Sequence, residues 1–518
     1  MSEQQVLISG GGPTGLSLAL TLRRFGITPR IIDRSPTPAG VSKALAVGSG
    51  SLEALAGMGV IDDFVAAGQR LKALCVGDAS KELARLAVGE GIDSPYPFPL
   101  LLPQSKTEQI LAARLAAQGI QVERGVELVG LVQDKDHVTA TLKHSDGRTE
   151  ETRATYLVGC DGARSFVRQT LGVDFEGYTE PQTFLLGDVL IDGGNLDHAC
   201  IYLWWHGGGT IALFPFGGNV WRIFGLREND EGAEPPKLSE LQEHADRHGP
   251  PGMRLRDPTW LSAFRINERL AAHYRVGRCF LAGDAAHIHT PAGGQGMNTG
   301  MQDAVNLGWK LAYALTGVGD RELLLASYEA ERRPVAHDVI KSAAQKQHAA
   351  FSQGHLTQAL KDIAVSIFGN IPAVQKKLQV ELSETDIVYR DGPLVALREP
   401  PRRAGRADVG GRARDVVLQN GAGSQPLWPR LVEPRHSLLV FANGAQSPGL
   451  EDVTQTAGDR LQVIRVDAAN RAAAQRYHLD GSGWVLIRPD QVVAARGESS
   501  DTTVLSRYVD RVLRPQPM

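Results

Sequence analysis

Residues near the start of the chain have the types and spacing of a dinucleotide-binding loop. Positions 10–15 read Gly-Gly-Gly-Pro-Thr-Gly and fit the GxGxxG pattern. There the first glycine permits a tight turn, the second lets a pyrophosphate approach, and the third lets helix and strand pack closely. An acidic residue ending the next strand can accept hydrogen bonds from a ribose. The alternative is a glycine-rich turn without ligand. The candidate residues are Gly10, Gly12, Pro13, Thr14, Gly15, Asp33 and Arg34.

Two distant motifs carry further acids beside glycines. Positions 161–168 read Asp-Gly-Ala-Arg-Ser-Phe-Val-Arg, and positions 280–287 read Phe-Leu-Ala-Gly-Asp-Ala-Ala-His. Together with the first loop, their order and separation resemble the single-component FAD-dependent aromatic hydroxylases, typified by para-hydroxybenzoate hydroxylase and phenol hydroxylase. The resemblance spans roughly residues 5–345. It selects FAD, which the first loop alone does not.

The resemblance implies where each part of FAD is held. Asp284 follows a glycine at the end of a buried-type strand, where its carboxylate can accept ribityl or ribose hydroxyls. The loop 291–298 opens a long helix, whose N-terminus would stabilise an anionic reduced flavin. Lys43 stands where the family usually has an arginine for the phosphates, and it lacks the bidentate fork. The implied cofactor residues are Lys43, Gln104, Asp161, Gly283, Asp284, Pro291, Gly296, Met297 and Asn298, and Arg164 and Arg168 are implied for nicotinamide access.

The resemblance also implies a reaction. NADPH or NADH would reduce FAD, dioxygen would give a flavin hydroperoxide, and its distal oxygen would hydroxylate an aromatic substrate, phenolic or polyketide in type. No metal is required, and the sequence has no metal-ligand cluster. The alternatives are a Baeyer–Villiger or epoxidising flavoprotein monooxygenase, and a non-catalytic flavoprotein that binds a reactive intermediate.

An aromatic-rich segment is the candidate substrate region. In the family, a sheet at this place roofs the flavin, and we expect a pocket lined by Tyr202, Trp204, Phe214 and Trp221. Strand alternation puts Tyr202 and Trp204 on one face. Ordinary core packing is the alternative for each aromatic. A catalytic base is not identified; His206 is a candidate because histidine commonly serves as a general base, but it fits a turn residue better, and the other candidates are Tyr202 and Pro291.

The elements that must position these residues begin with a strand–loop–helix–strand unit over residues 6–33. A capping-box pattern at Ser105 and Glu108 predicts a helix over 106–118. Helices are expected at 298–316 and 320–332, and a linker at 399–403. The fold class is α/β: a Rossmann-like FAD domain (1–175 and 276–398), an inserted antiparallel substrate sheet (176–275) and a C-terminal domain (404–518). The last resembles the thioredoxin-like domain of the phenol hydroxylase branch, through Arg488-Pro489-Asp490 and Arg496.

Composition bounds the remaining possibilities. The chain has 518 residues, of which 42% are hydrophobic, with 55 basic against 58 acidic side chains. This balance favours a large core and gives no basic field for nucleic acid or an anionic membrane. Four cysteines without CxxC spacing are typical of a reducing compartment. We therefore expect a cytoplasmic enzyme, with a homodimer possible, whose partners are an aromatic substrate and dioxygen.

Overall fold

The structure of the chain is a computed structural model. It describes residues 2–78, 81–89, 91–206, 208–227, 232, 234–291, 294–351, 371–389, 391–395, 407–420, 423–441, 449–467, 470–479, 482–498 and 501–516. The predicted linker at 399–403 lies outside these residues. No described helix is long and apolar enough to cross a membrane.

The first sheet brings the three motifs to one edge. Its main path runs Arg275–Val276, Cys279–Leu281, Thr149–Gly159, Ser2–Ser9, Arg30–Asp33 and Glu123–Arg124, and an antiparallel pair of strands, Val138–His144 and Val126–Gln133, extends from Thr149–Gly159. The central strands are parallel, and Ser9 pairs with both Gly159 and Ile32, while Gly159 pairs with Leu281. Because parallel strands end on the same side, the glycine loop, the Asp161 turn and the Gly283 turn meet there.

Helices cover this sheet, and two of them pack unusually closely. The central helix, Gly296–Leu315, lies against the glycine-loop helix, Pro13–Arg24. A Cβ on Gly308 would overlap the side chain of Thr21, so the glycine permits this approach. The described helices are Pro13–Arg24, Ser49–Leu55, Ile61–Ala67, Gln104–Ala116, Phe166–Thr170, Leu238–His248, Gly296–Leu315, Arg321–Phe351, Pro372–Ser383, Trp428–Leu431, Leu450–Ala457, Arg471–Arg476 and Thr503–Val512, with short 3-10 turns at Ala56–Met58, Gly283–Ala285 and Gly458–Arg460.

Two helix predictions are wrong at their ends. The helix expected over 320–332 is the long helix Arg321–Phe351, which continues through Pro334. Proline removes one backbone hydrogen bond, but Ala336 and Ala343 beyond it are fully buried, so packing holds the helix together. The helix expected over 106–118 is Gln104–Ala116 and has no side-chain cap; the Ser105 hydroxyl instead hydrogen-bonds to Ser42.

The second sheet is the substrate sheet, and it is larger than the sequence predicts. Its order is His287–Ile288, Met253–Ala271, Phe175–Gly193, Val220–Leu226, Gly209–Gly217, Cys200–His206, Ala73–Asp78 and Lys81–Ala87. The strand Ala73–Asp78 joins Cys200–His206 in parallel. Three strands of this sheet therefore lie outside the predicted range 176–275, namely Ala73–Asp78, Lys81–Ala87 and His287–Ile288. A separate small sheet has three short strands, in the order Ala46–Val47, Leu100–Leu101 and Gln69–Arg70.

The C-terminal domain is built on a four-stranded sheet. Its order is Leu461–Val466, His436–Phe441, Gly483–Ile487 and Val493–Glu498, and only the first pair is parallel. Numbered by their position in the chain, the four strands lie in the order 2-1-3-4, with helices between and after them. From this order we infer a thioredoxin-like domain. A separate hairpin joins Val417–Asn420 to Gly423–Pro426.

Candidate functional site

The neighbours that an added Cβ would meet show which glycines of the loop are needed for close backbone contacts. Gly10 has a φ of +113°, and a Cβ there would overlap the Cys160 carbonyl oxygen. A Cβ on Gly15 would overlap the carbonyl oxygen of Gly10. Gly12 differs, because nothing lies within 4 Å of the position that a Cβ would take there. The loop therefore has open space in front of Gly12, at the uncapped N-terminus of the helix Pro13–Arg24, where phosphate oxygens would be favoured.

Asp33 is tied to the same loop. Its Oδ2 accepts a hydrogen bond from the Gly11 amide at 2.7 Å, and its Oδ1 accepts one from the Ser35 amide at 2.8 Å. Each carboxylate oxygen has a second lone pair, so a ribose hydroxyl can still donate to Asp33. The neighbouring Arg34 is exposed. The prediction for Asp33 stays compatible with this geometry, and the carboxylate also orders the turn.

The Gly283–Asp284 turn lies directly against the glycine loop. A Cβ on Gly283 or on Gly300 would overlap the Thr14 hydroxyl. Asp284 is exposed to solvent, yet desolvation raises its pKa, while His287 and Lys43 act to lower it. A side chain that solvent reaches but protein largely surrounds lies in a cleft. Lys43, which is exposed, is close enough to act electrostatically on the same carboxylate.

A buried ion pair is hydrogen-bonded to the Gly283–Asp284 turn. Asp303 of the central helix accepts hydrogen bonds from the Gly283 amide at 3.2 Å, from His287 at 2.7 Å and from Arg332 at 2.7 Å. Burial acts to raise the pKa of Asp303, but Arg332 and His287 outweigh it and lower that pKa. The sequence analysis missed Asp303. The signal was the one carboxylate of a largely buried helix, since such a charge must be paired.

Asp161 has an unused oxygen. Its Oδ2 accepts a hydrogen bond from the Val167 amide at 3.2 Å. Its Oδ1 is buried and has no hydrogen-bond partner among the described residues, and burial raises the pKa of this carboxyl. A buried acceptor of this kind normally has a partner, and a cofactor hydroxyl would supply one.

The two arginines of this turn have different surroundings. Arg164 is exposed, as nicotinamide access would require. Arg168 is buried; it donates to the Ala285 carbonyl at 2.9 Å and its guanidinium lies 3.7 Å from the ring centre of Phe175. We infer that Arg168 positions the Asp161 turn against the Gly283 turn. Ser165 accepts the Arg168 amide and caps the short helix Phe166–Thr170.

The loop before the central helix is held by side-chain amides. Asn298 accepts a hydrogen bond from the Gly48 amide at 2.9 Å and donates to the Ala46 and Gly294 carbonyls. Gln104 accepts one from the Ala44 amide at 3.2 Å. Both amides thus fix the segment 44–48 against the loop, and a cofactor contact from either would be additional. The other predicted residues, Pro291, Gly296 and Met297, are exposed or only partly buried, and positions 292 and 293 lie outside the described residues.

His289 presents a second unused acceptor beside this loop. Its Nδ1 donates to the Thr290 carbonyl at 2.7 Å, and burial lowers the pKa of the imidazole to about 4. The ring is therefore neutral at pH 7, and its Nε2 is an acceptor. Nε2 is buried, without a hydrogen-bond partner in the part of the chain that is described, and lies beside Gly296. Unused acceptors at Asp161 and His289, with the space at Gly12, fit a bound dinucleotide.

The substrate sheet presents a different face to the cleft from the one predicted. Tyr202, Trp204 and Trp221 pack with Leu241 and Ala245 of the helix Leu238–His248. Because a strand's side chains alternate between faces, these three point to the helix side, and this packing gives no support to their predicted place in the pocket.

Phe214 lies on the opposite face from those three aromatics. With Phe216 it packs against Leu45 and Leu101, next to the segment that Asn298 holds. Of the four predicted pocket residues, only Phe214 therefore faces the cofactor side.

The three predicted catalytic candidates lack the features of a substrate base. Tyr202 accepts a hydrogen bond from the Asp197 amide at 2.7 Å, and burial raises its pKa. His206 is exposed at the end of its strand, 3.3 Å from Asp78. Pro291 carries no titratable proton. None of the three is supported as a substrate base.

A buried ion pair that the sequence analysis missed joins the substrate sheet to the cofactor side. Arg222 makes two hydrogen bonds to Asp188, at 2.8 and 2.9 Å. It also donates to the Lys43 carbonyl at 3.1 Å and to the Ser42 carbonyl. Both charged residues interrupt apolar strands, which was the available signal. The pair fixes the backbone that carries Lys43 towards Asp284.

Comparisons with known proteins match most of the chain. The family model described as FAD binding domain matches residues 3–343, and the model described as aromatic-ring hydroxylase, C-terminal, matches residues 406–515. The chain is 36% identical to a 6-methylpretetramide 4-monooxygenase of Streptomyces rimosus, covering 97% of this chain and 92% of that protein. It is 29% identical to a pentachlorophenol 4-monooxygenase of Sphingobium chlorophenolicum, covering 99% and 97%.

A solved structure extends the likeness to the whole fold. The anhydrotetracycline hydroxylase OxyS from Streptomyces rimosus matches with a TM-score of 0.78 and 29% identity, over 99% of this chain and 100% of that one. The match therefore extends over nearly the full length of both chains.

Proposed function

Because the chain belongs to the FAD-dependent aromatic-ring hydroxylases, we propose that it hydroxylates a phenolic or polyketide substrate at the cleft between Asp284 and Phe214. The enzyme is an FAD-dependent monooxygenase. The observation that carries the proposal is the meeting of the Gly12 space, the Asp161 turn and the Gly283 turn at one sheet edge. Over the reaction, one substrate C–H becomes C–OH, the second oxygen atom leaves as water, and NAD(P)H is oxidised.

The residues present fit FAD in a defined order. The loop at Gly12 and the carboxylate of Asp33 would hold the ADP end, and Asp161 and Asp284 would accept hydroxyls nearer the flavin. The Pro291 loop would lie at the isoalloxazine ring. When bound, FAD supplies electron transfer from NAD(P)H and the activation of dioxygen.

The chain's own residues provide the electrostatics of the cleft. Lys43 contributes a positive charge beside Asp284. The central helix begins at Gly296 without a side-chain cap, so its N-terminal amides favour negative charge nearby. His289 stays neutral at pH 7 and presents only an acceptor. Lys43 and the helix N-terminus therefore favour an electron-rich ring system in the cleft, and His289 places no acidic group beside that ring.

The substrate face favours flat apolar molecules. Phe214 and Phe216 are half-buried and pack with aliphatic side chains at this face. The guanidinium of Arg222 lies 4.5 Å from the ring centre of Phe216 and 5.2 Å from that of Trp260. Aromatic substrates stack well on such surfaces. Two relatives act on 6-methylpretetramide and on anhydrotetracycline by name, which supports a polyketide over a simple phenol.

The proposal is tested with the purified yellow protein. NAD(P)H consumption is measured with a panel of polyketides and phenols under labelled dioxygen, and each product is isolated. A product that survives mild alkali and carries one labelled oxygen as a hydroxyl in place of an aromatic hydrogen supports ring hydroxylation, whereas an epoxide keeps every C–H. A product that adds water in alkali is a lactone and supports Baeyer–Villiger insertion instead. Tight substrate binding without turnover supports the non-catalytic alternative.

Three finer points are also proposals. We propose a cytoplasmic location and a homodimer, and we leave the donor open between NADH and NADPH. Size-exclusion chromatography with light scattering tests the dimer, and cell fractionation tests the location. Comparing the flavin reduction rate with each nicotinamide identifies the donor.

A further inference from the structure

Three consecutive residues of the long helix contact three different parts of the molecule. Glu331 accepts hydrogen bonds from Arg488 of the C-terminal domain at 2.7 and 2.8 Å. Arg332 donates to Asp303, which holds the Gly283 turn. Arg333 donates to the Ala271 carbonyl of the substrate sheet at 3.0 Å. The long helix therefore joins all three domains within a single turn.

The C-terminal contact is a closed network of charges. Glu331 also accepts a hydrogen bond from Lys310 at 2.7 Å, and Arg488 is paired with Asp490 as well. Two cations and two anions balance, and all four side chains are buried. A buried network of this kind has one well-defined geometry, because each displaced partner would leave an uncompensated charge. The C-terminal domain thus fixes the position of Glu331.

Tyr389 gives a second connection, besides the long helix, between this charge network and the Gly283–Asp284 turn. Its hydroxyl accepts a hydrogen bond from Arg332 at 3.2 Å, and its ring centre lies 5.5 Å from the guanidinium of Arg488. Arg332 has its remaining described contacts with Asp303 and with the Thr299 carbonyl of the central helix. The hydroxyl of Tyr389 therefore completes the shell that orients Arg332.

We propose that Tyr389 is a positioning residue for FAD, through which the C-terminal domain holds the Arg332–Asp303 pair beneath the Gly283–Asp284 turn. This rests on the proposed function insofar as FAD occupies that turn. The C-terminal domain then contributes to cofactor retention without touching the cofactor. Packed side chains and hydrogen-bonded charges can carry coupling of this kind, and Arg488, Tyr389, Arg332 and Asp303 form such a set.

The test uses the holoenzyme and the conservative variant Tyr389→Phe. This change deletes the one hydroxyl and keeps the ring beside Arg488. FAD release after dilution is followed by the rise of free-flavin fluorescence, and the absorption spectrum of bound flavin is recorded. We expect release about three- to tenfold faster than in the wild type, because a hydrogen bond to a charged group contributes more than a neutral one.

Tyr477→Phe is the matched control. It deletes a tyrosine hydroxyl that donates to the Arg414 carbonyl within the C-terminal domain. It is expected to lower the melting temperature of the protein while leaving FAD release unchanged. Release from Tyr389→Phe at the wild-type rate, or an equal acceleration in Tyr477→Phe, would overturn the positioning role and leave the proposed function standing. A purified protein that takes up no FAD would overturn both.

Discussion

Replacing Gly12 with alanine should separate cofactor binding from folding. Gly12 has φ −82° and ψ −174°, which alanine adopts without strain, and the space around its Cβ position is empty. The apoprotein should therefore keep its stability, or gain about 0.4–1 kcal/mol through a less flexible unfolded chain. If a pyrophosphate lies against this backbone, the new methyl group occupies the space that its oxygens need.

The expected loss of affinity follows from the hydrogen bonds at stake. Displacing the pyrophosphate removes at least one hydrogen bond to a charged group, worth about 1.5–3 kcal/mol. Since about 1.4 kcal/mol corresponds to a factor of ten, the Kd for FAD should rise roughly 10- to 150-fold. The assay is titration of apoprotein with FAD, followed by quenching of flavin fluorescence, with thermal unfolding of the apoprotein measured in parallel.

Gly10→Ala provides the contrasting variant. Gly10 has a left-handed φ, and its Cβ would strike the Cys160 carbonyl, so this change should destabilise the apoprotein itself. The reasoning is refuted if Gly12→Ala binds FAD as tightly as the wild type. It is also refuted if Gly12→Ala unfolds as readily as Gly10→Ala, since the space in front of Gly12 would then not be open.

Three further predictions concern packing, the substrate face and pH. Arg222→Leu should lower the free energy of unfolding by about 3–5 kcal/mol, because it leaves a buried carboxylate unpaired; adding Asp188→Leu should recover much of this in urea unfolding, and no recovery would contradict the pairing. Phe214→Ala should raise the substrate KM severalfold, whereas Trp204→Phe, on the helix side, should lower the melting temperature and leave KM unchanged; the reverse pattern would reassign the face. Burial acts to raise the pKa of Glu331, but Arg488 and Lys310 outweigh it and hold that pKa at about 2. Its stabilising contribution is therefore present above its ordinary pKa and lost as the pH falls from about 5 towards 2, so Glu331→Gln should flatten the acid limb of the stability curve measured by denaturant unfolding.

The sequence identified local motifs correctly where the role of a residue depends on its neighbours in the chain. The glycine loop, the end of the first strand and the Asp161 and Gly283 turns were identified from short patterns, and Ser165 caps its helix. The capping box at Ser105 failed because Ser42, distant in sequence, takes its hydroxyl. The helix end at Pro334 failed because tertiary packing of the following turns outweighs one missing hydrogen bond.

The orientation of the substrate sheet could not be read from alternation alone. Alternation puts Tyr202 and Trp204 on one face, which the structure bears out, but it does not say which face meets the cofactor. The helix Leu238–His248 covers their face, and the strand Ala73–Asp78 enters the sheet from far away in sequence. Both facts depend on how separate segments pack.

The sequence by itself determined the dinucleotide-binding loop, since close backbone approach and strand-end acids are local requirements for glycines and carboxylates, and the resemblance carried by the three motifs selected FAD. Only the tertiary structure decided which side chains serve the cleft. Asp303, Arg332 and Tyr389 come from distant segments, and burial obliges each charged or polar group among them to find a partner. That obligation is met across domains, so the network supporting the cofactor turn emerges only when the domains are assembled.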